Sequence, residues 1–185
     1  MSVALPTSLT AADYYDLPEG GPRFQLIEGE LWMSPSPNRQ HQKIITNLLR
    51  ALSNHVCEHD LGEVYAAPFD VEFDEQNVFQ PDLSFFSHAR EQFLTEQGAS
   101  GAPDFVIEIL SPSNAKFDLH AKRLVYARAG VREYWIVDPV ARSVTVHWFE
   151  HGSEVAPAVF TEATANITAR AVPGFAVTLS MVFEN

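Results

Sequence analysis

The order of periodic segments predicts an α/β (α+β) fold in which a mixed β-sheet is flanked by helices. Positions 38–59 repeat apolar residues at helical spacing, and short runs of strand character lie on either side. A second helical stretch at 115–129 separates the apolar run "PDFVIEILS" from "REYWIVD". With 185 residues, 46% of them hydrophobic, and no internal repeat, the chain is long enough for one domain with a sizeable core. We read 1–185 as one such domain, with a helical lead-in over 1–22, a core over 23–139 and C-terminal strands over 140–185.

The elements follow in order. "SLTAADYYDLPEGGP" offers Ser8 or Thr10 as the N-cap of a short helix and then a Pro- and Gly-rich stop. "FQLIEGELWM" reads as a hairpin of strands 24–27 and 30–33 around a Glu28-Gly29 turn. Ile44, Ile45, Leu48, Leu49, Leu52 and Val56 line one side of the long helix, with Gly62 as its stop. "EVYAAPFDVEFD", "NVFQPDLSFFS" and "PDFVIEILS" read as three consecutive strands, the last apolar on both faces. The helix over 115–129 closes at Gly130. "REYWIVD" and "SVTVHWFE" are two further strands around an Asp138-Pro139 turn, and "GFAVTLSMVFEN" adds one more strand and a closing segment. Alternation along "VREYWIVDP" assigns Trp135 to the core rather than to a ligand.

Composition narrows the function classes. The lone Cys57 is incompatible with an internal disulfide framework or a cysteine zinc site and suits a reducing compartment, with the cytoplasm as the default. The first residues lack a basic stretch followed by an apolar one, and no segment approaches the ~18 apolar residues of a membrane span, so neither secretion nor insertion is expected. A net charge of −12 argues against a protein that coats nucleic acid by electrostatics alone. It remains compatible with an enzyme that meets phosphates through bound divalent cations.

Glu108 is the anomaly in the central apolar run. Alternation sets Asp104, Val106, Glu108 and Leu110 on one face and Phe105, Ile107 and Ile109 on the other. A carboxylate among apolar neighbours needs a partner, and a structural ion pair and a metal ion are both open readings. Asp82 opens its own strand after Pro81; if that strand lies beside 104–110, the two carboxylates approach and a cation between them relieves the repulsion. Taken alone, Asp82 is also explained as a strand-entry residue, and an Asx turn suffices for Asp104. On the second helix Lys122 falls inside the apolar arc of Leu119, Val125, Tyr126 and Ala129, opposite Lys116, His120 and Arg123. Its local partner on that helix is Asp118, with the ammonium snorkelling outward as the alternative to a functional role.

The segments "FQLIEGELWMSPSPNRQHQKI", "QPDLSFF", "PDFVIEILSPSN" and "DLHAKRLVYARAGVREYWIVDP", in that order, resemble a large bacterial family of restriction-endonuclease-like proteins in the PD-(D/E)XK nuclease superfamily. The resemblance covers 24–139 and extends more weakly through "VPGFAVTLSMVF". It implies a three-layer core and Mg²⁺ or Mn²⁺ held by Asp82 and Glu108, and the backbone carbonyl of Ile109 is a candidate further ligand. The superfamily lysine, expected two residues after the glutamate, is Leu110 here, and Lys122 is the matching residue from the following helix. Gln25 stands where related sequences commonly carry an acidic residue. It is an auxiliary candidate together with Glu28 and with His41, for which packing or capping is the alternative. The implied activity is metal-dependent hydrolysis of DNA phosphodiester bonds, with a homodimer expected by analogy. The competing readings are a catalytically silent nuclease fold used as an interaction module and a metal-stabilised structural domain.

Overall fold

Prolines decide where the strands break. The computed structural model describes residues 8–18, 20–34, 36–111 and 117–184. It opens with α1 (Ala11–Tyr15), capped by Thr10 in a reciprocal box with Asp13, and the hairpin β1 (Phe24–Ile27) and β2 (Glu30–Met33). Glu28 and Gly29 both take positive φ, the conformation a two-residue hairpin turn requires. The helix α2 (Arg39–Glu58) starts at Asn38, whose side chain accepts from the His41 amide, and buries Ile44, Leu48, Leu52 and Val56. Each such side chain is worth roughly 1.5–3 kcal/mol when fully buried.

"EVYAAPFDVEFD" is not one strand. Pro68 has no amide to donate, and the run divides into β3 (Gly62–Ala66) and β4 (Asp70–Asp74), which join different sheets. "NVFQPDLSFFS" divides in the same way at Pro81 into β5 (Asn77–Phe79) and β6 (Leu83–Ser87). Gly62 is likewise not the helix stop. Asp60 takes the left-handed turn, and Gly62 opens β3 where a Cβ would come within 2.1 Å of the Phe86 carbonyl oxygen.

A short strand β7 (Gly98–Ser100) precedes β8 (Phe105–Ile109), α3 (Phe117–Ala129), β9 (Glu133–Asp138) and β10 (Ser143–Glu150). The tail holds more strand than its sequence suggests: β11 (Ser153–Phe160), β12 (Asn166–Thr168) and β13 (Ala176–Thr178) precede α4 (Leu179–Phe183). β11 is an edge strand, mostly exposed and interrupted by Pro157, so it lacks the apolar alternation that reveals a strand.

The strands form two mixed sheets, of order β2-β1-β5-β4-β7 and β11-β10-β9-β8-β6-β3, with β12-β13 as a separate ribbon. Helix α2, the ribbon and α4 cover one face of the larger sheet through Leu83, Phe85, Ile107, Trp135 and their neighbours. Its other face, through Val106 and Tyr134, meets Val125 and Tyr126 of α3 and Ile27 and Phe79 of the smaller sheet. Trp135 is fully buried, as its alternation requires. No described helix is long and apolar enough to cross a membrane.

Candidate functional site

Strand pairing brings the two distant carboxylates together. β6 runs antiparallel to β8 with Leu83 opposite Ile107, so one further step sets Asp82 opposite Glu108 at the C-terminal end of β8. Asp82 Oδ2 accepts the Ile109 amide at 2.8 Å, which ties the start of β6 to that end. Glu108 points to the α3 side. There Lys122 Nζ and Tyr126 Oη both donate to its Oε1, at 3.0 and 2.7 Å. Lys122 is 3% exposed, so its ammonium does not snorkel out, and it also lies 5.6 Å from the centroid of the Phe79 ring. Lys116 and the side chains of Asp118 and Leu119 lie outside the described residues.

The N-terminal turn of α2 brings His41 to the same place. Its Nε2 is 3.2 Å from Asp82 Oδ2 and 3.1 Å from the Ile109 carbonyl oxygen. Both neighbours are acceptors, so Nε2 carries the proton. Burial pushes the imidazole pKa down, but the hydrogen bond and charge of Asp82, with the Ile109 carbonyl and Glu108 adding to them, more than offset this and raise it above its usual value. Asp82, Glu108, Ile109, Lys122 and His41 thus converge.

The other two candidates are placed differently. Gln25 is buried with both ends of its amide engaged: Oε1 accepts the Gln80 amide at 3.1 Å and Nε2 donates to Ser34 Oγ at 3.0 Å. Because Gln80 leads into Pro81 and Asp82, Gln25 holds the approach to the site. Glu28 is exposed in the hairpin turn and pairs with Arg128 at 2.8 Å, six residues and about 9 Å along α3 from Lys122. It is not brought to the site.

Asp104 is structural, as expected, but not through an Asx turn. It is fully buried at the opposite end of β8, with Arg90 Nε at 3.1 Å, Arg132 Nη1 at 3.0 Å and the Ser87 amide donating at 2.9 Å. Sequence reasoning missed Tyr126 as a polar partner, since its ring fits the apolar arc. Its signal is the i,i+4 spacing from Lys122, which lets both reach one carboxylate oxygen.

Among the described residues no group of three or more His, Cys, Asp or Glu forms a cage for a metal. The donors that are present, two carboxylates and a carbonyl at adjacent strand ends, are hard oxygens. They fit an ion such as Mg²⁺, which typically takes one or two carboxylates and completes its shell with water and substrate phosphate. A cavity of about 550 Å³ lined by Tyr14, Phe24, Asp70 and Gln80 lies on the other face of the smaller sheet and does not belong to this group.

An uncharacterized protein from Synechocystis sp. (strain PCC 6803) is 26% identical over 141 residues, covering 75% of this chain and 79% of its own length. A solved structure, described as "a putative nuclease belonging to DUF820" from Anabaena variabilis, superposes with a TM-score of 0.81 at 22% identity. The match covers 95% of this chain and 97% of that one, and it establishes the shared fold. The family profile that matches residues 11–180 is described as "Putative restriction endonuclease", and with nearly the whole chain inside that match, the protein is a member of this family, Uma2.

Proposed function

We propose that the protein is a divalent-metal-dependent endodeoxyribonuclease whose site is Asp82, Glu108 and the Ile109 carbonyl, with Lys122 beside them. The observation that supports it best is the convergence of two carboxylates and a buried lysine, from three separate segments, on the C-terminal end of β8. Mg²⁺ or Mn²⁺ bound there supplies charge neutralisation at the phosphodiester and lowers the pKa of an attacking water.

The chain's own residues do the rest. Asp82 and Glu108 present the oxygen ligands, and the Ile109 amide fixes the Asp82 carboxylate. Lys122, held by Glu108 and shielded from solvent, places a positive charge where charge grows on the phosphate oxygens in the transition state. Tyr126 braces the Glu108 carboxylate from the same helix. His41 locks Asp82 to the Ile109 carbonyl from α2. A homodimer, with one site for each strand of a duplex, is the assembly that goes with double-strand cutting.

One observation favours a second reading, in which the fold is a metal-free structural or interaction module. Lys122 and Tyr126 both satisfy Glu108 Oε1 with no ion needed. Both readings are tested by incubating supercoiled plasmid and single-stranded DNA with the purified protein in Mg²⁺ or Mn²⁺, against EDTA and against Asp82→Asn and Glu108→Gln. Cutting that needs metal and is lost in both folded variants supports the nuclease. Absence of cutting by folded wild type, with a melting temperature insensitive to metal, supports the module.

A further inference from the structure

The cavity on the far face of the smaller sheet has its floor set by strand pairing. Leu26 pairs with Val78 and Val71 with Phe79, and both registers, continued past the end of β5, set Gln80 between Phe24 and Asp70. Residues directly opposite share a face, so the three form one row on the side of the sheet that Leu26 and Val78 turn toward α1. Helix α1 covers the row. Tyr14 Oη lies 3.0 Å from Asp70 Oδ1 and 3.1 Å from the Phe24 carbonyl oxygen, and Tyr15, 45% exposed, stands edge-on to Tyr14 with ring centroids 5.3 Å apart. The space between them, about 550 Å³, is within the usual range for a small-molecule site.

The chemistry of this space is aromatic and acidic. Gln80 Nε2 donates to Asp70 Oδ1 at 2.8 Å, so that oxygen takes both polar neighbours, and among the described residues no donor reaches Oδ2. Glu72 lies two residues further along the same face of β4, and among the described residues neither carboxylate has an ion-pair partner. Burial first, and then the charges of Asp70 and Glu72, push the Tyr15 phenol up to about 12; burial and Asp70 raise Tyr14 as well, so both rings stay neutral. Arg23, exposed next to Phe24, also lines the cavity, yet the charges acting on the two phenols are negative. An anion entering here meets carboxylates that no cation offsets. A cation meets an oxygen with free lone pairs and tyrosine rings, whose faces attract positive charge.

We propose that this cavity binds an organic cation, a primary ammonium group on an apolar body, with the ammonium at Asp70 Oδ2 and the body against Tyr15 and Phe24. An ammonium is a compact charge whose N–H groups can turn to a single open oxygen. A guanidinium makes its best contact with both oxygens of a carboxylate, and here Oδ1 is already taken. The cavity also backs onto the segment that carries Asp82, since the Gln80 side chain holds Asp70 while its main chain continues through Pro81. Binding there does not depend on the nuclease reading.

The test is calorimetric titration of the full chain with phenethylammonium and hexylammonium chlorides at fixed ionic strength, beside phenethyl alcohol and phenylacetate. Saturable binding is expected for the ammonium probes and not for the alcohol or the acid. Asp70→Asn keeps an acceptor for Tyr14 and Gln80 and is expected to weaken ammonium binding by at least about tenfold, the scale of one charged hydrogen bond. Tyr15→Ala weakens it about threefold and Tyr15→Phe restores it. Arg23→Ala leaves it equal or tighter, and Glu150→Gln, at the end of β10 in the larger sheet, leaves it unchanged. No saturable binding of either ammonium probe, equal binding of the alcohol, or undiminished affinity in a folded Asp70→Asn overturns the inference. Phenylacetate binding that is lost in Arg23→Ala also overturns it, because the cavity is then an anion site.

Discussion

The two Pro-Asp pairs are the same local motif with different fates. Pro81-Asp82 and Pro103-Asp104 each precede a strand of the larger sheet, β6 and β8. Because these strands are antiparallel, the two aspartates lie at opposite ends of β8. At the N-terminal end Asp104 is closed in by Arg90, Arg132 and the Ser87 amide, with no solvent contact. At the C-terminal end the Asp82 side chain keeps 16% exposure and shares its surroundings with His41, Glu108 and the start of the segment leading to α3. Glu133 on β9 repeats the enclosed pattern: fully buried, it accepts from Trp135 Nε1 at 2.7 Å and from the Arg170 and Ala171 amides at 2.6 and 2.8 Å. A carboxylate surrounded by fixed donors stabilises the fold. One at a strand end, partly open, with a lysine and a second carboxylate in reach, is where ligand chemistry can occur.

Removing Asp104 should have the largest effect on stability. Asp104→Ala leaves the half-buried Arg90 without its carboxylate and is expected to cost about 3–5 kcal/mol, as for a broken buried pair. In a domain of this size that lowers Tm by roughly 6–20 °C. Metal binding by the remaining folded protein, measured by calorimetry, should match wild type. A shift in metal affinity would undo the distinction between the two ends of β8.

Next comes Glu108→Ala, which takes away the carboxylate that accepts from the buried Lys122 and Tyr126 and is expected to cost about 2–4 kcal/mol by chemical denaturation. The double variant Glu108→Ala/Lys122→Met should recover most of that loss, because apolar replacement of both partners removes the buried charge together with its carboxylate. A double variant no more stable than the single one would show that Glu108 contributes through groups other than Lys122.

Glu133 sharpens the contrast through pH. Burial raises its pKa above the usual carboxylate value even though three N–H groups favour the charged form. With the folded value above the unfolded one, its contribution to stability is fully present below about pH 4.5 and is lost as pH rises through the folded pKa. The Tm advantage of wild type over Glu133→Gln, which loses an acceptor for those amides, should therefore be greatest near pH 4 and narrow toward pH 7. An advantage that widens with pH would reverse the assigned direction.

Asp82→Asn should disturb the fold least, by about 1 kcal/mol, since the amide oxygen can still accept from Ile109. If its end of β8 is the reactive one, DNA cleavage should nevertheless fall by at least about 100-fold, the usual scale for losing an electrostatic contributor. Cleavage at the wild-type rate by this variant would transfer the site elsewhere.

Much of this architecture was legible locally. The hairpin, α2, the core strand of Glu108 and the inward placement of Lys122 and Trp135 all follow from periods of two and 3.6 and from turn residues. These depend only on neighbours within a few positions. The division of two apparent strands at Pro68 and Pro81 into different sheets was not legible, since each half keeps strand alternation and only the missing amide hints at the break. The exposed edge strand β11 was missed because edge pairing needs no apolar face. Asp82 and Glu108 were identifiable as candidates from their place beside a proline and within an apolar run. Which of two Pro-Asp aspartates would meet Glu108, and that Lys122 would reach Glu108 on β8, was decided by tertiary structure. Those outcomes depend on the antiparallel register of β6 with β8 and on the packing of α3 over that sheet, contacts between residues far apart in the chain that no local pattern encodes.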